Sequence, residues 1–133
     1  MPFHQSLSGQ KSNRLLTNEV KCLADNIYHE ARGESFKGKL AVAIVTINRK
    51  NSGNYPSTIC RVVYQKYQFT WTNRPKKVTD YYQYVDALTA ANMALENERI
   101  LGEFKATHYH NTTVSPKWGL KRVAKIGKHI FYS

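Results

Sequence analysis

Apolar positions recur at helical spacing in three stretches of this chain, and polar punctuation between them marks where each must stop. Thr17-Asn18-Glu19 offers a capped start. Val20, Leu23, Ala24, Ile27 and Tyr28 follow at helical spacing, which predicts an amphipathic helix over 18–31 that Gly33 ends. Leu40, Ala41, Ile44, Val45 and Ile47 form a broader apolar stripe, so a second helix is predicted over 36–51, stopping at "NSGNYPS". Asp80 stands in a capping position ahead of Tyr84, Val85, Leu88, Ala91 and Leu95, and a third helix is predicted over 80–97. Between the second and third helices, "TICRVVYQKYQFTWTNRP" is aromatic and β-branched and reads as a helical turn followed by extended chain. Beyond Gly102 come short extended segments, "ATHYHN" and "HIFYS", around the turn-rich "TTVSPKWG". The expected fold class is α+β, mainly helical with a small late β-sheet.

Residues 1–12 are polar and carry Pro2, Gly9 and several Ser, so they read as a flexible N-terminal arm, leaving 13–133 as a single domain. At 133 residues one core is expected. Composition alters the picture through charge. Twenty Lys plus Arg against nine Asp plus Glu leave a net +11, which points to a polyanionic partner: nucleic acid, an anionic cell-wall or outer-membrane polymer, or a membrane surface. No apolar run is long enough to span a bilayer. "MPFHQSLSGQKSNRLL" has no apolar stretch behind a basic leader, so no signal peptide is expected. Cys22 and Cys60 are too few for a disulfide framework. They could pair, and two ordinary buried thiols are expected instead.

In a chain this poor in acids, "HEARGES" keeps Glu30 and Glu34 four positions apart. A carboxylic acid near the end of a buried helix is partly desolvated, and desolvation raises its pKa toward the range useful for general acid work. Glu30 is therefore a candidate proton donor, although a Glu beside an Arg near a helix end is ordinarily a solvated surface pair. The ordinary job for Glu34 is an N-cap or first-turn role in the second helix. His108 and His110 would share one face of a strand, with Tyr109 on the other. A metal site there would need His129, Cys22 or Cys60 as a third ligand. The spacing matches no zinc signature, so no metal or other cofactor is expected. Trp71 and Trp118 offer flat faces on which sugar rings could stack, or they fill the core. Lys117, Lys121, Arg122, Lys125 and Lys128 make the tail basic.

Ordered blocks over about residues 20–132 carry a resemblance. "NIYHEARGES", a helix ending in Asn48-Arg49, "YPSTI", "QF", "THYHN", "SPKW" and "GKHIFY" resemble the cell-wall hydrolase family that includes the catalytic domains of spore cortex-lytic enzymes. That resemblance implies a lysozyme-like or lytic-transglycosylase-like fold and cleavage of the glycan strands of bacterial peptidoglycan between N-acetylmuramic acid and N-acetylglucosamine. It implies Glu30 as the catalytic acid. It also implies that Gln68, Phe69 and Thr70 line the glycan cleft, and Glu34, His108, Tyr109, His110 and Trp118 are the further substrate-binding candidates read from the residues themselves. Departing from the family pattern, His29 precedes the catalytic position, and a protonated His29 would lower the pKa of Glu30.

Glycan hydrolysis ordinarily takes a second carboxylate. Gly33 turns Glu34 away from the face of Glu30, so lytic transglycosylation is the expected reaction, in which the muramic C6 hydroxyl attacks C1 and one Glu serves as acid and then base. A muramidase using both Glu30 and Glu34 is the alternative. A basic nucleic-acid-binding module and a cysteine amidase using Cys22 or Cys60 are the rivals from other classes. A monomeric bacteriolytic enzyme of the phage endolysin type, made in the host bacterial cytoplasm without a signal peptide and acting on the cell wall after release, is expected.

Overall fold

The computed structural model describes residues 17–65, 69–73 and 77–133; the arm expected over 1–12 lies outside the described residues. Helices come first: α1 (Asn18–Ala31), α2 (Phe36–Ser52), α3 (Ile59–Val63), α4 (Thr70–Asn73) and α5 (Tyr81–Glu96). Strands β1 (His108–Asn111), β2 (Arg122–Ile126) and β3 (His129–Tyr132) follow. The order of elements is that of the expected α+β class.

Short polar side chains start the helices by accepting an N–H that the first turn cannot satisfy. Thr17 Oγ1 takes Val20 N–H at 3.3 Å, Ser35 Oγ takes Gly38 N–H at 3.1 Å, and Asp80 Oδ1 takes Gln83 N–H at 3.1 Å. Ser35, not Glu34, therefore caps α2. Gly53, at φ 82°, ends α2 in a left-handed conformation that a side chain would resist.

Helices α1, α2 and α5 pack on one another, and α3 closes against α1 and α2. Leu40 through Val45 are all buried, which explains why the apolar stripe of α2 is so broad. The contact face of α5 is Ala87, Ala90, Ala91, Ala94 and Leu95. Its small side chains allow close approach, while Val85, counted in the apolar repeat, is exposed. The extended chain expected after the first turn of "TICRVVYQKYQFTWTNRP" is the short helix α4 over its described part. Thr72 closes that turn locally, its N–H and its hydroxyl both donating to Phe69 O, at 3.3 and 2.8 Å.

Cys22 and Cys60 form a disulfide that ties α1 to α3, correcting the expectation of two thiols. The packing of α3 beside α1 brings their Cα atoms to 5.2 Å, a distance a disulfide spans. Sequence spacing does not disclose such a contact.

The sheet runs β1-β3-β2, antiparallel throughout. Tyr109 and Ala124 both pair with Phe131, whose fully buried side chain fixes this as the inner face. His108, His110 and Tyr132 take the outer face, the alternation expected for "HYH". Strand β2 was not foreseen, because in "RVAKI" only Ala124 and Ile126 are even partly buried.

Candidate active site

Glu30 lies in the last turn of α1, partly buried, and Tyr109 OH donates to its Oε1 at 2.7 Å. Burial raises the pKa of Glu30, against the opposing pulls of the Tyr109 hydrogen bond and the Arg49 charge. Desolvation wins, so the carboxyl holds its proton to higher pH than an ordinary glutamate and can donate it. Tyr109 is pushed the other way from ionisation, well above 10, by burial and then by the carboxylate beside it. It remains a hydrogen-bond donor over the working pH range.

Two adjacent residues at the end of α2 bring β1 to this position. Asn48 Nδ2 donates to Phe104 O at 2.9 Å and to Ala106 O at 2.8 Å, and Arg49 Nε donates to Thr107 O at 2.7 Å. Together they fix residues 104–107, and Tyr109 follows two residues later. The buried Arg49 guanidinium also lies over the rings of Tyr55 and Phe69, at 5.1 and 5.5 Å. Its charge pulls the pKa of Glu30 down, the direction also expected of a protonated His29. The His29 ring lies against Trp71, with centroids 4.6 Å apart.

On the other side of α1, Tyr28 OH accepts Thr79 N–H at 3.1 Å, Asp80 N–H at 3.0 Å and an Arg32 Nη1–H at 2.6 Å, which anchors the start of α5 to the end of α1. Asn26 is fully buried one turn before Glu30 and accepts Trp71 Nε1–H at 2.9 Å, so Trp71 is a packing residue. Asn26 Nδ2 makes no regular hydrogen bond among the described residues, though it lies close enough to ease ionisation of the Tyr109 hydroxyl.

The remaining candidates separate into distinct places. Glu34 sits in the loop between α1 and α2, where Lys39 Nζ donates to its carbonyl at 2.6 Å, and its Oε1 accepts Lys128 N–H at 2.9 Å in the β2–β3 turn. At Gly127 in that turn, φ is 56°, which favours glycine, and a Cβ there would push the Glu34 carboxylate off its hydrogen bond. Glu34 thus staples the hairpin to the helices. Phe69 is buried, its ring 6.5 Å from that of Tyr109. Thr70 begins α4, and Gln68 lies outside the described residues. His108, His110 and Trp118 gather on the outer face of the sheet, away from the Tyr109 side. His129 is buried on the inner face, which separates it from the other two histidines as a metal ligand.

None of the other acids is among the groups that shift Glu30. Asp25 accepts Tyr84 OH at 2.6 Å, Asp80 caps α5, Glu98 accepts Asn51 Nδ2 at 3.1 Å, and Glu103 pairs with Arg99 and Lys105. The arrangement is one desolvated carboxyl with a phenol and a buried guanidinium beside it. Arg49 had been visible in the sequence as part of a motif, without a role. Asn26 likewise opens the block "NIYHEARGES" without a role.

This helical core with a single acid at the end of α1 and a small sheet beside it matches known proteins. The pattern of the cell wall hydrolase family matches residues 33–132, beginning after Glu30, and the chain belongs to that family. The catalytic domain of a germination-specific lytic transglycosylase, SleB from Bacillus anthracis, superposes with a TM-score of 0.71 at 30% identity, covering 88% of this chain and 95% of that one. The SleB catalytic domain of Bacillus cereus gives 0.67 at 28% identity, covering 87% and 90%. The fold is the lysozyme-like fold of those domains. Among curated proteins, the spore cortex-lytic enzyme of Bacillus subtilis is 35% identical over 86% of this chain and 37% of its own length. That of Halalkalibacterium halodurans is 33% identical over 86% and 34%. The chain spans little more than a third of the length of these two relatives.

Proposed function

We propose that this domain cleaves the glycan strands of bacterial peptidoglycan between N-acetylmuramic acid and N-acetylglucosamine, as a lytic transglycosylase with Glu30 as its acid and base. One observation carries the reading: Glu30 is desolvated, holds a raised pKa and has no second carboxylate acting on it. Protonated Glu30 gives its proton to the glycosidic oxygen as the bond to C1 breaks. The resulting carboxylate then takes the proton of the muramic C6 hydroxyl as that oxygen bonds to C1. The product is a 1,6-anhydromuramic end, no water is consumed, and Glu30 finishes protonated. Proximity favours this route, because the nucleophile is part of the substrate.

In this reading Tyr109 orients the carboxyl through Oε1, and the Arg49 charge steadies the carboxylate between the two proton transfers. The likeness to the SleB catalytic domains supports both the substrate class and the reaction. Glu30→Gln keeps size and hydrogen bonding and cannot donate a carboxylic proton, so clearing of purified wall should fall by about three orders of magnitude or more. Glu34→Gln should lose far less, mainly by loosening the hairpin. Near-normal clearing by folded Glu30→Gln ends the proposal. Equal losses at both positions would favour the two-carboxylate muramidase.

A further inference from the structure

The outer face of the sheet has features that the site at Glu30 does not use. Cross-strand partners share a face, so His108, Tyr132 and Arg122 form one row across the three strands, and His110, Ile130 and Lys125 form the next. Trp118, from the loop between β1 and β2, lies over them, its ring centroid 5.4 Å from His108, 5.5 Å from His110 and 5.4 Å from Tyr132. His110 Nε2 and Tyr132 OH are 2.8 Å apart with their rings stacked, which holds the platform rigid. Trp118 remains 41% exposed. Its indole therefore touches all three rings and keeps part of its surface open to solvent.

Charge on this face has one sign. From Phe104 to Ser133 the chain carries six Lys and Arg and no Asp or Glu. Arg122 and Lys125 are exposed beside Trp118. The one carboxylate bonded to the hairpin, Glu34, is engaged with Lys128 N–H at the β2–β3 turn. The face also connects with the site at Glu30. His108 Nε2 lies 3.4 Å from Tyr55 OH, and the Tyr55 ring lies under Arg49, the cation that acts on Glu30.

We infer that the outer face of the sheet is a second, non-catalytic binding face for peptidoglycan, with a sugar ring on Trp118 and the carboxylates of the peptide stems on Arg122 and Lys125. The inference rests on the glycan-cleaving reading above. An open indole suits the C–H face of a pyranose, and neighbouring cations suit a glycan that bears acidic peptides. Phosphate polymers and single-stranded nucleic acid would meet the same cations. Continuity with Tyr55 and Arg49 favours the glycan, because a strand held at Glu30 can pass round the edge of β1 onto Trp118.

The test uses the chain carrying Glu30→Gln, which binds without cutting, and its co-sedimentation with insoluble peptidoglycan stripped of attached anionic polymers. Trp118→Ala should weaken retention about tenfold and Trp118→Phe far less, as loss of one stacking contact requires. Arg122→Glu, a surface change with no bearing on folding, should weaken retention at low salt and flatten its salt dependence. Unchanged retention in Trp118→Ala and Arg122→Glu overturns the inference. So does retention that disappears once the attached polymers are stripped, or a single-stranded oligonucleotide that displaces the protein from unstripped wall through these same residues. Full lytic activity of the Glu30→Gln chain would sink the catalytic reading instead, and the two failures are distinguishable.

Discussion

Glu30 keeps Tyr109 protonated while the Tyr109 hydrogen bond pulls the pKa of Glu30 down, and the signs of these shifts lead to a measurable consequence. The Tyr109 hydrogen bond favours the charged carboxylate, so Tyr109→Phe should raise the pKa of Glu30 further. A general acid is active while protonated, and activity falls as pH rises through its pKa. The basic limb of the rate–pH profile should therefore move to higher pH in Tyr109→Phe, with kcat/KM lower by about tenfold for the lost hydrogen bond. A limb that stays fixed or moves to lower pH would contradict the assignment. Stability follows the same sign. A carboxyl whose folded pKa is raised stabilises fully below the ordinary carboxylate pKa and loses that contribution as pH climbs toward the folded value. Glu30→Gln removes the ionisable group, so at neutral pH its melting temperature should equal or exceed that of the unaltered chain, measured calorimetrically. Glu30 could be singled out as a candidate because its motif is local. Its contact with Tyr109 spans 79 positions and the Arg49 guanidinium arrives from a different helix, so neither could be read from spacing.

Among the elements, helices α1, α2 and α5 were legible because each has a capping residue and an apolar face of its own. β2 and α4 were not, for different reasons. β2 is an edge strand held by its pairing to β3, and its composition is that of a basic loop. α4 forms one turn through a threonine bonded to the backbone, in a segment whose aromatic and β-branched content reads as strand. The disulfide between α1 and α3 has the largest predicted effect at this scale. It closes a loop of 38 residues, and the chain-entropy account of such a loop gives about 4 kcal/mol at most. The double variant Cys22→Ser, Cys60→Ser should lose roughly 2–4 kcal/mol in denaturant unfolding. Because Glu30 is carried by α1, activity should be lost at lower temperature in the same variant. A reductant should reproduce both effects on the unaltered chain and leave the variant unmoved. Equal stability with and without reductant would mean that α1 and α3 pack as firmly without the bond.

Across the whole molecule the charges are divided. Asp80, Asp86, Glu96, Glu98 and Glu103 follow one another along α5 and its exit loop, with Arg99 alone among them, whereas the sheet that comes next bears cations only. Glu30 sits apart from the acidic stretch, on α1, among a phenol, a guanidinium and apolar helix faces. The net +11 visible in the sequence predicted an anionic partner, and only the strand register assigns part of that charge to one face together with Trp118. The acid inventory also bears on the reaction. Glu34 bonds the hairpin turn, and Asp25 and Asp80 have partners elsewhere, an arrangement that favours the proposed route over one needing a second carboxylate. The most direct test is mass spectrometry of the muropeptides released from purified peptidoglycan. Fragments ending in 1,6-anhydromuramic acid, each one water lighter than the hydrolysed equivalent and without a reducing terminus, are the predicted result. Fragments with ordinary reducing muramic or glucosamine ends would contradict it.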